Sequence, residues 1–311
     1  MATTAGSTIE PRPTSAVLLK YTRKTVREEM LLEDWRHLAG TTHTVNSRWP
    51  DTHSFYTSGP DSYNPLIFAE TIRQALSLLS HTAHDIPLSH RLSWEYFHTS
   101  LAPAALRGDP EGAAVELTVT HTEPVRRRLG STHLTAHIAA TRDGEPLGAA
   151  KVHYTAHPPA IYDRLRGTYA NALEATSRAL PPGAPLSPPT TVGCLRPADV
   201  LLSPTELTRR WRLRADTSHP VLFDHPHDHM PGMVLLGASA QALRGLVDSG
   251  PAVITGLDAG FKRYTELDEP CWIEASPLTR VRPGVVSTEV SARQHDRTVF
   301  TCLVSAHVPR Q

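Results

Sequence analysis

The chain carries one unit written twice, and this repeat constrains its fold more than any other feature of the 311 residues. Asn64-Pro65-Leu66-Ile67-Phe68-Ala69-Glu70-Thr71-Ile72-Arg73-Gln74-Ala75-Leu76 lies over Pro231-Gly232-Met233-Val234-Leu235-Leu236-Gly237-Ala238-Ser239-Ala240-Gln241-Ala242-Leu243. Both read as a breaker, an apolar run and Gln-Ala-Leu. Upstream, Met30-Leu31-Leu32 answers Val200-Leu201-Leu202, and Asp51-Thr52-His53 answers Asp216-Thr217-Ser218-His219. Downstream, Val152-His153-Tyr154-Thr155-Ala156-His157 answers Cys302-Leu303-Val304-Ser305-Ala306-His307. Matches kept in order across two halves point to tandem duplication of one domain type.

This length allows two units that each bury a core. The expected divisions are a flexible tail over residues 1–15, a first unit over 16–158, a helical and proline-rich linker over 159–189 and a second unit over 190–311. Lys plus Arg and Asp plus Glu both total 31, so no net field draws nucleic acid or an anionic membrane. Lysine occurs only at positions 20, 24, 151 and 262, which reads as codon bias. Cys194, Cys271 and Cys302 contain no Cys-x-x-Cys pair, which argues against a disulfide framework or a cysteine metal site. Met1 to Thr14 lacks the apolar segment of a signal peptide, and no run reaches the roughly 20 apolar residues of a membrane helix. A cytoplasmic protein is expected.

Each unit predicts one long helix followed by strands. In the first, Asn64 caps a helix with Pro65 at its first position. Strands follow over Leu92 to Leu101 and Ala114 to Thr122. A hairpin then pairs His133 to Ala140 with Leu147 to Thr155 around Asp143-Gly144. The linker reads as a helix over Ile161 to Leu180 and then a proline-rich stretch. The second unit predicts a helix over Gly232 to Val247, strands over Ile254 to Tyr264 and Cys271 to Ala275, and a final pair, Val285 to Arg293 and Val299 to His307. The fold class is α+β, a curved antiparallel sheet wrapping a buried helix in each unit. Each unit alone leaves a sheet edge and an apolar helix face uncovered, so the two should pack as an internal pseudo-dimer.

Apolar residues cover nearly the whole circumference of the first helix, so Glu70 and Arg73 on it need a reason. Spaced i, i+3, they can pair, either as a structural tie or as a carboxylate and guanidinium facing an active-site cleft. The second charged feature is Asp224-His225-Pro226-His227-Asp228-His229-Met230-Pro231-Gly232, which delivers imidazoles and carboxylates onto a helix N-terminus. Groups that move protons then lie beside amides that can hold a developing oxyanion. The alternating histidines also permit a metal cluster. His53 and His219 read as hydrogen-bonding their turns, a more ordinary role than catalysis, and Asp224 as capping one. Arg126-Arg127-Arg128 reads as a solvated face or as a docking point for an acidic carrier protein.

Taken together, Trp49-Pro50-x-x-His53-Ser54-Phe55-Tyr56, Asn64-Pro65 through Glu70-x-x-Arg73-Gln74, Asp224-His225-Pro226-x-Asp228-His229-x-Pro231-Gly232-Met233 and Gln241-Ala242 resemble the A-factor biosynthesis (AfsA) family over residues 25 to 310. The resemblance implies a double hotdog fold. It also implies transfer of a β-ketoacyl group from acyl carrier protein to the hydroxyl of dihydroxyacetone phosphate, without a cofactor or metal, beginning a γ-butyrolactone or related butenolide or furan signalling molecule. On this resemblance the catalytic candidates are Glu70, Arg73, His225, Asp228 and His229, and the substrate-binding candidates are Gln74, Gly232, His53 and Tyr56.

The chain departs from the family pattern where its second helix should carry Glu and Arg, which are replaced by Gly237 and Ala240. In related hotdog dimers the histidine of one unit meets the acid of the other. His225, Asp228 and His229 of the second unit would then face Glu70 and Arg73 of the first, leaving one live site per chain. A hotdog dehydratase or thioesterase, and a non-catalytic acyl-binding regulator, are the rival readings.

Overall fold

The computed structural model describes residues 14–58, 62–247 and 252–308. Of the expected flexible tail, residues 1–13 lie outside the described residues, and Ser15 already opens helix α1 (Ser15–Thr22). The first half continues with the hairpin β1 (Leu32–Ala39) and β2 (Thr42–Trp49), then the long helix α2 (Leu66–Thr82). Strands β3 (Arg91–Leu101), β4 (Ala113–His121), β5 (Val125–Arg126), β6 (Thr132–Arg142) and β7 (Glu145–His157) complete it. Short helices α3 (Pro159–Arg166) and α4 (Ala172–Ser177) fill the connector. The second half runs β8 (Leu202–Ser203), β9 (Arg210–Leu213), α5 (Gly232–Leu246), β10 (Val253–Phe261), β11 (Trp272–Ala275), β12 (Thr279–Arg282), β13 (Val285–Gln294) and β14 (Arg297–His307).

All strands among the described residues join one antiparallel sheet ordered β1-β2-β4-β6-β7-β3-β10-β14-β13-β11-β9-β8, with β5 on β6 and β12 on β13. Read outward from the β3–β10 junction, the two halves have the same order, β12 taking the place of β5 and α5 that of α2. The junction pairs Thr99 with Leu257 and Phe97 with Ala259, so two sheets that would each end in an open edge close onto one another. The helices pack side by side inside the curve. A Cβ built on Gly237 of α5 would lie 3.0 Å from Leu66 Cδ1 of α2 and 2.7 Å from Leu201 Cδ1. This is the double hotdog architecture.

Local chemistry accounts for the elements. Every α2 residue from Leu66 to His81 except Arg73 is buried, as the all-round apolar sequence demands. The helix starts one residue later than expected, with Asn64 Oδ1 accepting the Leu66 amide at 3.1 Å. Asp143 (φ 52°) and Gly144 (φ 84°) turn the β6–β7 hairpin in the left-handed region that such a tight turn requires. The single helix expected over Ile161 to Leu180 is instead two. Gly167, at φ 56°, ends α3, and Asn171 starts α4 by accepting the Leu173 and Glu174 amides. Among the described residues, no helix is long and apolar enough to cross a membrane.

Candidate active site

At the middle of α2, Glu70 is 2% exposed and saturated with donors. Arg73 grips it with Nε on Oε2 at 2.7 Å and Nη2 on Oε1 at 2.7 Å, while Gln74 Nε2 donates to Oε1 at 2.8 Å. Lys24 Nζ, arriving from the segment after α1, lies 3.3 Å from Oε1. Burial alone would raise this carboxyl. The charges of Arg73 and Lys24, with hydrogen bonds from Arg73 and Gln74, overcome that and hold it down at about 2. Glu70 is therefore a fixed anion. Arg73 also donates through Nη1 and Nη2 to Thr22 O, and its side chain remains 26% exposed.

Lys24 carries the arrangement across the halves. Its ammonium also lies 3.5 Å from Asp224 Oδ2, and Asp224 Oδ1 accepts His225 Nδ1–H at 2.7 Å. Arg73, Glu70, Lys24, Asp224 and His225 thus form one unbroken chain of contacts, three members from the first half and two from the second. Asp224 is held down at about 2, the bond from His225 and the charge of Lys24 outweighing the upward push of burial. Four residues on, the pattern recurs, with His229 Nδ1 3.0 Å from Asp228 Oδ1. Each Asp–His pair fixes its ring through Nδ1 and leaves Nε2 to face other chemistry.

The connector anchors the second pair. Asp228 Oδ2 accepts from Tyr162 Oη at 2.6 Å and Arg166 Nε at 2.8 Å, while Arg166 Nη2 donates to Asp228 O at 2.6 Å. Arg166 also binds Glu266 with Nη1 at 2.8 Å and Nη2 at 2.6 Å, and stacks 4.3 Å over Tyr264. The His229 ring lies 4.8 Å from that same tyrosine. Between the two dyads, burial and the neighbouring His225 and His229 push His227 down to about 3, so its ring is neutral.

The remaining expected contacts divide differently. Gln74 spends every polar atom inside the protein, accepting Leu31 N at 2.9 Å and donating to Glu29 O at 2.7 Å besides Glu70. His53 accepts the Phe55 and Tyr56 amides on Nδ1 at 3.1 Å and meets Glu29 Oε1 through Nε2 at 3.2 Å. Each polar side-chain atom of these two residues is engaged within the protein. They hold the backbone around the site. Tyr56 packs on His53 at 4.7 Å, its phenol kept protonated by burial and by the charges of Glu70 and Glu29.

Gly232 stands at the first turn of α5, where the Val234 amide closes the first bond onto Pro231 O at 3.0 Å. The Gly232 and Met233 amides precede that bond and point out of the helix N-terminus. A Cβ on Gly232 would lie 3.0 Å from Trp94 Cε3 and 3.2 Å from Phe261 Cε1, so a larger residue would press on the rings that pack over the turn. Burial raises all three cysteine thiols to about 12, leaving no thiolate nucleophile among them.

Sequence reasoning missed Lys24, Tyr162, Arg166 and Glu266. Lysine's scarcity was the one available signal for Lys24. Nothing local marks the other three, whose partners lie 62 or more residues away for Arg166 and Asp228 and 100 for Arg166 and Glu266.

A model of the A-factor biosynthesis hotdog domain matches residues 8–158 and again 176–308. The chain is 36% identical over 292 residues to the 2-oxo-3-(phosphooxy)propyl 3-oxoalkanoate synthase of Streptomyces virginiae, across 94% of this chain and 97% of that protein. A synthase of the same name from Streptomyces coelicolor is 31% identical over 280 residues, across 87% and 85%. Among solved structures, the tesB protein of Mycobacterium avium subspecies paratuberculosis aligns with a TM-score of 0.46 at 14% identity, covering 96% of this chain and 100% of that one. With one match on each half of the sheet, the chain belongs to the A-factor biosynthesis hotdog family.

Proposed function

We propose that the protein is an acyltransferase that moves a β-ketoacyl group from acyl carrier protein to the hydroxyl of dihydroxyacetone phosphate, giving a 2-oxo-3-(phosphooxy)propyl 3-oxoalkanoate. This product is the precursor of a γ-butyrolactone-type signal. The observation that carries the reading is the contact chain from Arg73 to His225, which joins an anion-binding group of one half to a base of the other. The names of the relatives supply the substrate class. The two halves act as an internal pseudo-dimer in the cytoplasm, with one working junction.

His225, oriented by Asp224, takes the acceptor's hydroxyl proton through Nε2 as the alkoxide oxygen attacks the thioester carbon. The tetrahedral oxyanion forms against the Gly232 and Met233 amides at the positive end of α5. Its collapse breaks the C–S bond, and the departing thiolate takes the proton back from His225. Arg73, held rigid by Glu70, binds the acceptor phosphate or the β-keto oxygen with its exposed edge. His229, set by Asp228 beside the same helix end, positions the acyl carbonyl. An ionised, fully engaged Glu70 is unsuited to the acid–base role a dehydratase would give it, which favours transfer over that rival.

The test is product mass with a β-ketoacyl carrier protein, with and without dihydroxyacetone phosphate. Acceptor-dependent formation of the phosphorylated ester is expected. Free β-keto acid released equally in its absence would make the protein a thioesterase, and loss of water from a hydroxyacyl carrier would make it a dehydratase.

A further inference from the structure

We propose that Asp224, His225 and His227 form a weak site for a divalent transition metal of the zinc class, and that a metal held there shuts the active site by occupying His225. The binding claim stands on the geometry alone. The inhibitory consequence rests on the transfer mechanism above.

Each of the three residues offers a ligand atom, and these atoms lie within 4.8 Å of one another. The His225 and His227 ring centroids are 4.2 Å apart with planes inclined by 34°, so both rings border the same small volume. Two polar atoms of the trio, Asp224 Oδ2 and His227 Nε2, are buried without a hydrogen-bond partner, and the Asp224 side chain is only 7% exposed. Asp224 Oδ2 has only the Lys24 ammonium at 3.5 Å, so a bound cation would satisfy the buried ring nitrogen of His227 and replace a loose ion pair at the carboxylate. The His227 backbone is fixed from outside, its amide donating to Thr176 Oγ1 at 3.1 Å and its carbonyl accepting from the same hydroxyl at 3.0 Å.

The donor set selects the ion. Two imidazole nitrogens and one carboxylate suit zinc and its neighbours, whereas magnesium and calcium require oxygen shells. His225 is 43% exposed in its side chain, so a fourth position opens toward solvent. Lys24 sets the strength. Its ammonium 3.5 Å from Asp224 Oδ2 opposes an incoming cation, which makes the site an occasional one and not that of a resident cofactor. Lys24 keeps Glu70, at 3.3 Å, as its partner when the metal enters.

The experiment titrates the full chain, without substrate, with zinc by calorimetry and with cobalt by visible absorption, and then assays acyl transfer against zinc. Wild type should bind one zinc and show cobalt d–d bands of low coordination number. His227→Asn, outside the proposed catalytic groups, should bind at least about ten-fold more weakly while keeping transfer activity and resisting zinc. Lys24→Met should tighten binding. Absence of zinc binding to the wild type, or equal binding by His227→Asn, would overturn the site. Binding as expected without inhibition would locate the error in the role given to His225.

Discussion

The two helix junctions use the same scaffold for opposite ends. Gln74 and Gln241 occupy equivalent places and do the same work, Gln241 accepting Leu201 N at 2.7 Å and donating to Asp199 O at 2.8 Å. His219 repeats His53, taking the Val221 and Leu222 amides at 3.2 Å on Nδ1 and meeting Asp199 at 3.1 Å through Nε2. The junctions part where Glu70 faces Gly237. The second donor of Gln74 goes to Glu70, but that of Gln241 goes to Cys194 Sγ at 3.3 Å, and the space of a glutamate is taken by Leu201 and Leu66. Polar groups present at both junctions hold the fold, and those present at only one are candidates for chemistry.

The sharpest way to break this division is Glu70→Ala. Removing the anion strips Arg73 of its carboxylate and leaves Lys24 only the looser pair with Asp224, so transfer should vanish and stability should fall by about 3–5 kcal/mol, read by denaturant unfolding beside the assay. Activity near wild type in a folded variant would end the composite-site reading. Next comes a matched pair of histidines. His225→Ala should lower kcat by about 10²–10⁴ with little change in Tm. His219→Ala should instead lose about 1–3 kcal/mol of stability, since two buried amides lose their acceptor, and leave kcat intact. Equal kinetic losses in both would merge the two junctions into one function.

Gly237→Glu tests whether the silent junction can be refurnished. The added Cβ meets Leu201 and Leu66, so a loss of about 1–3 kcal/mol and no gain in activity are expected. Increased turnover would show a latent second site.

The smallest effect concerns pH. His121 is 1% exposed and held near about 3 by burial and by His84 and His43, both themselves lowered chiefly by burial. His37, Arg126, Asp85, Glu123 and Tyr154 are the other titratable or charged groups facing this cluster. The unfolded chain binds these protons first, so stability present above the ordinary histidine range is lost as pH falls below about 6.5, at up to about 1.4 kcal/mol per pH unit for each histidine. Glu70 and Asp224, held at about 2, add their own loss only at lower pH. Tm measured from neutral pH down to mild acid should therefore fall, and His121→Phe should flatten the slope. An unchanged slope would remove His121 from the account.

Both long helices were legible as apolar runs behind a breaker, buried on nearly every side, and the later hairpins as apolar segments either side of turn residues. The β1–β2 hairpin was not, since β1 exposes most of its residues and carries Arg36 and His37, with little apolar alternation to mark it. The Glu-x-x-Arg pair and the histidine turn stood out as charge placed where apolar residues were expected. Lys24 did not, because its significance lies in bridging two carboxylates 46 and 200 residues along the chain, a distance only the fold closes.

Arg166 gives the connector a meaning beyond length. It leaves α3 to clasp Asp228 and Glu266, so the histidine turn at one junction leans on a segment that occurs once in the chain. Two identical subunits related by a twofold axis would have to build both junctions alike. Joining the copies head to tail breaks that equivalence: the order of the halves decides which histidine turn receives the brace, and with it which junction was free to lose its charges.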